Sequence, residues 1–268
     1  MQYKMVVLDL DDTLLDKEHI ISNTTGNTLK KLKDMGVEIV VATGRMYCSA
    51  LPYIKQLGLV GSMITYNGAY IRNVERDEVV FHKPIDLELA REILKEAEEA
   101  GLFVNIYMDD RLYVEETGRE TELYKKISGV EANPVGKLSE FISDAPTKIL
   151  IVEEDLEKNQ YYRKFFVEKY GDKLEVTNSK AFFIEFMAKG VSKGNAIEVI
   201  ANEKNIDLKD IIAIGDSWND LEMIQTAGLG IAMGNAPEGV KKYADKVAEK
   251  HDDEGVSKIL KDIYSLKE

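Results

Sequence analysis

Asp9 and Asp11 stand two residues apart where the first apolar run of the chain, MVVLDL, gives way to polar sequence. At a strand terminus, that spacing lets both side chains reach the same space. Three more segments of this kind follow. ATGR places Thr43, Gly44 and Arg45 after a second apolar run. VSKG places Lys193 in the first turn of a helix, and IGDSWND places Asp216, Asn219 and Asp220 after a run of Ile and Ala. Gathered together, Asp9, Asp11, Asp216 and Asp220 cannot all stay ionised without a cation. Oxygen ligands without histidine favour Mg²⁺ over zinc or copper. Thr43, the Gly44 amide, Lys193 and Asn219 are donors of the sort a phosphate needs. A carboxylate beside a bound phosphoryl group can be a nucleophile, forming an aspartyl phosphate. A second carboxyl two residues on can protonate the leaving oxygen and later activate water.

Each segment alone has a plainer explanation. Asp-x-Asp at a strand end is usually a solvated turn, and a lone lysine at a helix start usually lies on the surface. Asp216 alone can serve as a helix N-cap. The conjunction carries the argument, because ligands of open parallel sheets bind at the carboxyl ends of the strands. Rival motifs fail on their own terms. As a calcium loop, DLDDTLLDKEHI has Leu14 where Gly is needed and Ile20 where Glu is needed. GLGIAMG has the wrong spacing for a dinucleotide fingerprint and follows a helix instead of opening one. A receiver domain would be shorter and carry no insertion.

The elements that must position these residues read as an α/β core. MVVLDL is a strand, residues 24–35 a helix closed by Gly36, VEIVVATGR a strand, residues 46–57 a helix, and SMITYNGAY a strand and turn. That β-α-β-α-β alternation predicts a parallel sheet. From about Val80 the pattern changes to an α+β one. A Glu-rich helix spans 86–101, and two strands meet at Asp109-Asp110, a hairpin signal. Helices follow over 119–127 and 137–143, then the strand TKILIVEE, a helix over 156–170, and two strands turning near Ser179. From Ser192 the α/β alternation resumes. The predicted organisation is a core of residues 1–82 plus 188–268 and an inserted domain of 83–187, with Pro84 and Gly190 near the crossings.

Composition narrows the partners. The chain has 268 residues, enough for one large domain or two modest ones. Its 35 basic and 48 acidic residues give a net charge of −13, with no basic tract, which argues against nucleic acid or an anionic membrane as partner. No obligatory protein partner is evident. Cys48 is the single cysteine, so no intramolecular disulfide forms and packing is its default role. The start, MQYKMVVLDLDD, lacks the features of a signal peptide, and no apolar run reaches transmembrane length. The expectation is a cytoplasmic protein. His19, His82 and His251 lie outside every motif and are expected on the surface.

DLDDTLLD, ATGR, YNGA, GVSKG and GDSWND, in that order, resemble the haloacid dehalogenase-like (HAD) superfamily of phosphohydrolases, particularly its Cof-type members. The resemblance spans essentially the whole chain. It implies a Rossmann-like core, with Asp9 as nucleophile and Asp11 as general acid/base. It further implies phosphate contacts from Thr43, Gly44, Lys193 and Asn219. Metal contacts would come from Asp9, the backbone carbonyl of Asp11 and Asp216, with Asp220 close behind or sharing. Arg45, Asn67 and Trp218 lie inside the motifs and are further candidates, Trp218 either contacting substrate or packing beneath its loop. One departure is Asp12, where many members have Gly. The spacing independently supports an insertion: Thr43 and Lys193 are about 150 residues apart, far more than one βαβ unit needs. This resembles the family's large α/β (C2-type) cap, which would supply substrate contacts; Tyr107, Asp109, Arg119, Ser179 and Glu185 are candidates. The implied activity is a Mg²⁺-dependent phosphatase for small phosphorylated metabolites, sugar phosphates or similar phosphomonoesters. The alternatives are a phosphomutase on the same scaffold and a non-catalytic regulator that binds a phosphorylated metabolite.

Overall fold

MVVL, buried at every position, forms β1 (Met5–Leu8) in a computed structural model that describes residues 3–266. Residues 1–2 and 267–268, the ends of the expected core, lie outside the described residues, as does part of the stretch read for a signal peptide. After β1 come α1 (Asn23–Asp34), β2 (Glu38–Val41), α2 (Tyr47–Gln56), β3 (Ser62–Thr65), β4 (Tyr70–Asn73) and β5 (Glu78–His82). The middle of the chain holds α3 (Leu87–Glu99), β6 (Phe103–Met108), β7 (Arg111–Val114), α4 (Arg119–Ser128), β8 (Ala132–Pro134) and α5 (Leu138–Phe141). It continues with β9 (Lys148–Val152), α6 (Leu156–Tyr170), β10 (Leu174–Thr177) and β11 (Phe183–Ala188). The last part holds α7 (Lys193–Lys204), β12 (Ile211–Gly215), α8 (Leu221–Thr226), β13 (Leu229–Ala232), α9 (Glu238–Lys241), β14 (Lys246–Val247) and α10 (Gly255–Tyr264). No helix among the described residues is long and apolar enough to cross a membrane.

Backbone contacts divide the chain into two units. The first comprises everything up to Gly44, Ala50–Phe81 and everything from Ser192; the second comprises Arg45–Ser49 and His82–Val191. The first unit is built on a parallel sheet in the order β14-β13-β12-β1-β2, a Rossmann-like arrangement. β1 lies in its interior, so its side chains are buried on both faces and the run is uniformly apolar. Met5, Val7, Val40 and Ala213 pack against Ile197 and Ile200 of α7, each fully buried large aliphatic contributing about 1.5–3 kcal/mol. α1 starts at Ser22, whose hydroxyl caps Thr25 N–H. It is tied to the end of the chain: Ser22 and Thr25 hydroxyls donate to Glu254, and Thr28 bonds Ser257 in the interior.

SMITYNGAY departs from the expected parallel alternation. β3 touches the main sheet through the parallel bridge Ala42–Ile64, but its regular partner is β4, antiparallel, in a three-stranded sheet β3-β4-β5. The cause is local. Tyr66, Asn67 and Gly68 all have positive φ, at 51°, 54° and 103°, which folds the chain back so that Thr65 pairs with Tyr70.

The second unit is the expected α+β mixture, a sheet in the order β10-β11-β9-β6-β7-β8. All its pairings are antiparallel except β7 with β8. Asp109 and Asp110 both have positive φ, the conformation a two-residue hairpin turn requires. Ile106, Ile149, Ile151, Ile184 and Phe186 on one sheet face pack against Ile93 and Leu94 of α3 and Phe166 and Tyr170 of α6. The second unit runs to Val191. The reason is pairing: Ala188, at the end of β11, still pairs with Leu174, and Gly190 N–H donates to Glu175.

Candidate active site

β1 and β12 run side by side and end together, Asp9 N–H donating to the Ile214 carbonyl at 2.9 Å. Asp9 is buried there, and Asp216 follows directly on β12. Asp220 folds back over the turn between them: its Oδ2 accepts from the N–H groups of Asp216 (3.0 Å) and Ser217 (2.9 Å). Its Oδ1 accepts from Lys193 Nζ at 2.5 Å, and the same ammonium lies 2.5 Å from Asp9 Oδ1. The Lys193 side chain, 0% exposed, comes from the first residue of α7 behind the cap Ser192. Gly68 sets that helix start, since a Cβ there would lie 2.2 Å from the Ser192 carbonyl oxygen.

Charge is unbalanced in this cluster. Oxygens of Asp9, Asp216 and Asp220 all lie within 4.8 Å of one another, against one ammonium. Burial first, then Asp220, holds the Asp9 carboxyl well above the usual range despite Lys193. Burial, then Asp220 and Asp12, pushes Asp216 up to about 8, with Lys193 and the Thr13 hydroxyl opposing. For Lys193, burial alone would favour the neutral amine, but Asp220 and Asp9 outweigh it and raise the pKa. An oxygen-only trio with too much negative charge fits a hard divalent cation.

Asp11 is not part of that trio. Its side chain is 40% exposed, and His19 Nδ1 lies 3.8 Å away. Between Asp9 and Leu14 the chain makes an irregular turn in which Asp11 is extended and Asp12 is left-handed (φ 58°, ψ 14°). That conformation is free of cost for Gly and tolerable for Asp, which accounts for both residues being usable at this position. Asn235, in the loop after β13, went unnoticed in the sequence. Its Nδ2 donates to the Asp12 carbonyl at 2.9 Å and reaches Asp216 Oδ2 at 3.4 Å, while its Oδ1 accepts from His251 N–H. Thr13 Oγ1 meets the other Asp216 oxygen at 3.4 Å. The available signal was the strand-end rule applied once more, to the MGNA after LGIAM.

Of the three histidines, His251 departs from the expected surface position: its side chain is only 13% exposed, with Nε2 3.9 Å from Asp12. His82, which bonds Thr147, and His19, beside Asp11, are exposed as expected. Thr43 is buried and its carbonyl accepts from Asn67 N–H at 3.0 Å, while Asn219 Nδ2 donates to Asn67 Oδ1 at 2.9 Å. Gly44 closes the same strand end, whereas Arg45 groups with the second unit. Trp218 is 56% exposed, with its ring against Gly239. Cys48 is exposed, its thiol donating to the Asp110 carbonyl, so it does not have the expected packing role. Within the second unit, Tyr107 and Glu185 are buried, Glu185 pairing with Lys148 at 2.7 Å and accepting from Ser179. Arg119 pairs with Glu154 at the surface, and Asp109 belongs to the hairpin turn.

An ammonium and three carboxylates buried at the carboxyl ends of a parallel sheet, with amide and hydroxyl donors nearby, form the kind of site an α/β group-transfer enzyme uses. Residues 6–260 match the haloacid dehalogenase-like hydrolase family. "Phosphatase YwpJ" of Bacillus subtilis (strain 168) is 30% identical over 282 residues, covering 96% of this chain and 99% of that one. The crystal structure of a haloacid dehalogenase-like hydrolase from Bacteroides thetaiotaomicron superposes with a TM-score of 0.90 at 28% identity, covering 98% of this chain and 100% of that one. A HAD subclass IIB sugar phosphatase superposes with a TM-score of 0.84 at 25% identity, covering 98% and 100%. The chain belongs to the haloacid dehalogenase-like hydrolase family, in its Cof-type, subclass IIB phosphatase branch.

Proposed function

We propose that this chain is a Mg²⁺-dependent phosphatase that hydrolyses small phosphorylated metabolites, sugar phosphates or similar phosphomonoesters, in the cytoplasm. The observation that carries the reading is Lys193, buried between Asp9 and Asp220 with Asp216 beside them. In this reading Asp9 attacks phosphorus and the bond to the substrate oxygen breaks. Asp11 gives that oxygen its proton. Asp11, now a base, takes a proton from water, which attacks the aspartyl phosphate and releases inorganic phosphate while Asp9 returns as a carboxylate. Thr43, Gly44, Lys193 and Asn219 hold the other phosphoryl oxygens. Asp9, Asp216 and the Asp11 carbonyl, with Asp220 behind or sharing, would hold Mg²⁺, which supplies the positive charge that lets an anionic substrate approach these carboxylates.

Residues 83–187 act in this proposal as an inserted cap on a core of 1–82 and 188–268, and the cap selects the organic part of the substrate. The sugar phosphatase among the relatives supports the substrate class. A panel of phosphorylated metabolites assayed with Mg²⁺ tests it. The expected result is free phosphate from one or a few sugar phosphates. An isomerised sugar phosphate with no free phosphate would instead make the chain a mutase, and silence across the panel and on an aryl phosphate would make it a regulator.

A further inference from the structure

Asn67 sits at the centre of the left-handed turn after β3, at φ 54° and ψ 26°. Its backbone N–H is used by the Thr43 carbonyl and its Oδ1 by Asn219 Nδ2. Its remaining donor, Nδ2, is buried and has no hydrogen-bond acceptor among the described residues. A buried amide donor left unpaired is a standing cost to the fold and calls for an explanation.

Position supplies one. A Cβ on Gly44 would lie 2.9 Å from Asn67 Oδ1 and 3.5 Å from Nδ2, so the carboxamide rests directly on the Gly44 backbone. Its other neighbour is Asn219. The unused donor therefore belongs to a carboxamide flanked by two residues assigned above to the phosphoryl oxygens. We infer that Asn67 Nδ2 donates to a phosphoryl oxygen of the bound substrate, an inference that rests on the phosphatase reading. An amide suits this place because it is neutral. A second ammonium here would compete with Lys193 for Asp9 and quench the nucleophile, whereas a carboxamide adds a donor without a charge.

The test is a double-mutant cycle read by equilibrium binding of inorganic phosphate in the presence of Mg²⁺. Asn67→Gly keeps the left-handed backbone and removes the side chain; Asn219→Ala removes the group Asn67 orients. Direct donation predicts that Asn67→Gly weakens phosphate binding about 10- to 100-fold. The loss should persist in the Asn219→Ala background. Binding within about twofold of wild type overturns the inference, and so does a loss that vanishes when Asn219 is absent, since Asn67 would then act only through its neighbour. If Asn67→Gly lacks a cooperative melt, Asn67→Ala takes its place in the same cycle, removing the carboxamide without adding a charge. If wild type neither binds phosphate nor hydrolyses any phosphomonoester, the phosphatase reading falls first and the inference with it.

Discussion

Replacing Lys193 by Met removes one charge from the middle of three carboxylates while keeping a side chain of similar length. The ammonium makes two contacts of 2.5 Å, to Asp9 and Asp220. At an effective dielectric near 20, each is worth about 7 kcal/mol before desolvation is counted, and taking the ions out of water returns most of that. The net cost of removing one partner from such a buried group is about 3–5 kcal/mol. For a unit of this size that corresponds to a fall in Tm of about 6–20 °C. The deficit should depend on pH. Asp9 and Asp216 have raised values in the folded chain, the latter at about 8 against an ordinary 3.8. Between those pH values the folded state holds more protons than the unfolded one, so stability falls as pH rises through the window. Without Lys193 the trend loses the positive charge that opposes it at both carboxyls, leaving the Thr13 hydroxyl at Asp216. Thermal melts in chelator should therefore show a small deficit for Lys193→Met at pH 5 and a large one at pH 8, with Mg²⁺ restoring part of it. Equal melting of mutant and wild type at pH 8, or the same deficit at both pH values, would refute the reasoning.

Asp9→Asn should abolish both turnover and covalent labelling. Asp11→Asn should give a burst of about one phenolate per site from an aryl phosphate and then stall, with acid-quenched phosphate on the Asp9 peptide; label on another residue overturns the division of labour. Chelation should silence turnover, and Mg²⁺ or Mn²⁺ should restore it; full activity in excess chelator with no metal retained would defeat the metal assignment. Asn235→Ala should weaken Mn²⁺ binding about tenfold, as loss of a group orienting a metal ligand does, measured by titration calorimetry without substrate; unchanged affinity would remove Asn235 from the site.

Periodicity and turn chemistry made long elements legible. The helix predicted over 156–170 is α6 (Leu156–Tyr170), and the Asp109-Asp110 turn sits between β6 and β7 as its residues demand. Short strands were not legible. β8 spans three residues, β14 two, and β5 is mostly exposed, so none carries an alternation long enough to read. The site behaved in the same way. The strand-end rule located Asp9, Lys193, Asp216 and Asp220, which the fold does gather. It could not show that Asp11 is half-exposed beside His19, because that depends on the backbone angles of Asp11 and Asp12. Nor could it show His251 beside Asp12, a meeting of residues from opposite ends of the chain.

β1 is flanked by β2 and β12, and these neighbours are reached at very different times on the ribosome. Glu38 of β2 emerges soon after its partner Met5, but Ile211, the partner on the other edge, comes 206 residues later. At roughly 5–20 residues per second, one edge of this wholly buried strand waits about 10–40 s for its cover. Throughout that interval MVVL is an open, wholly apolar template for pairing with any other chain. The second unit, whose strands pair only with one another, is synthesised within the gap and can fold before the first sheet closes. The newborn chain is therefore most exposed to aggregation during the synthesis of its middle, and anything that slows elongation between Phe81 and Ser192 lengthens that exposure without altering the finished protein.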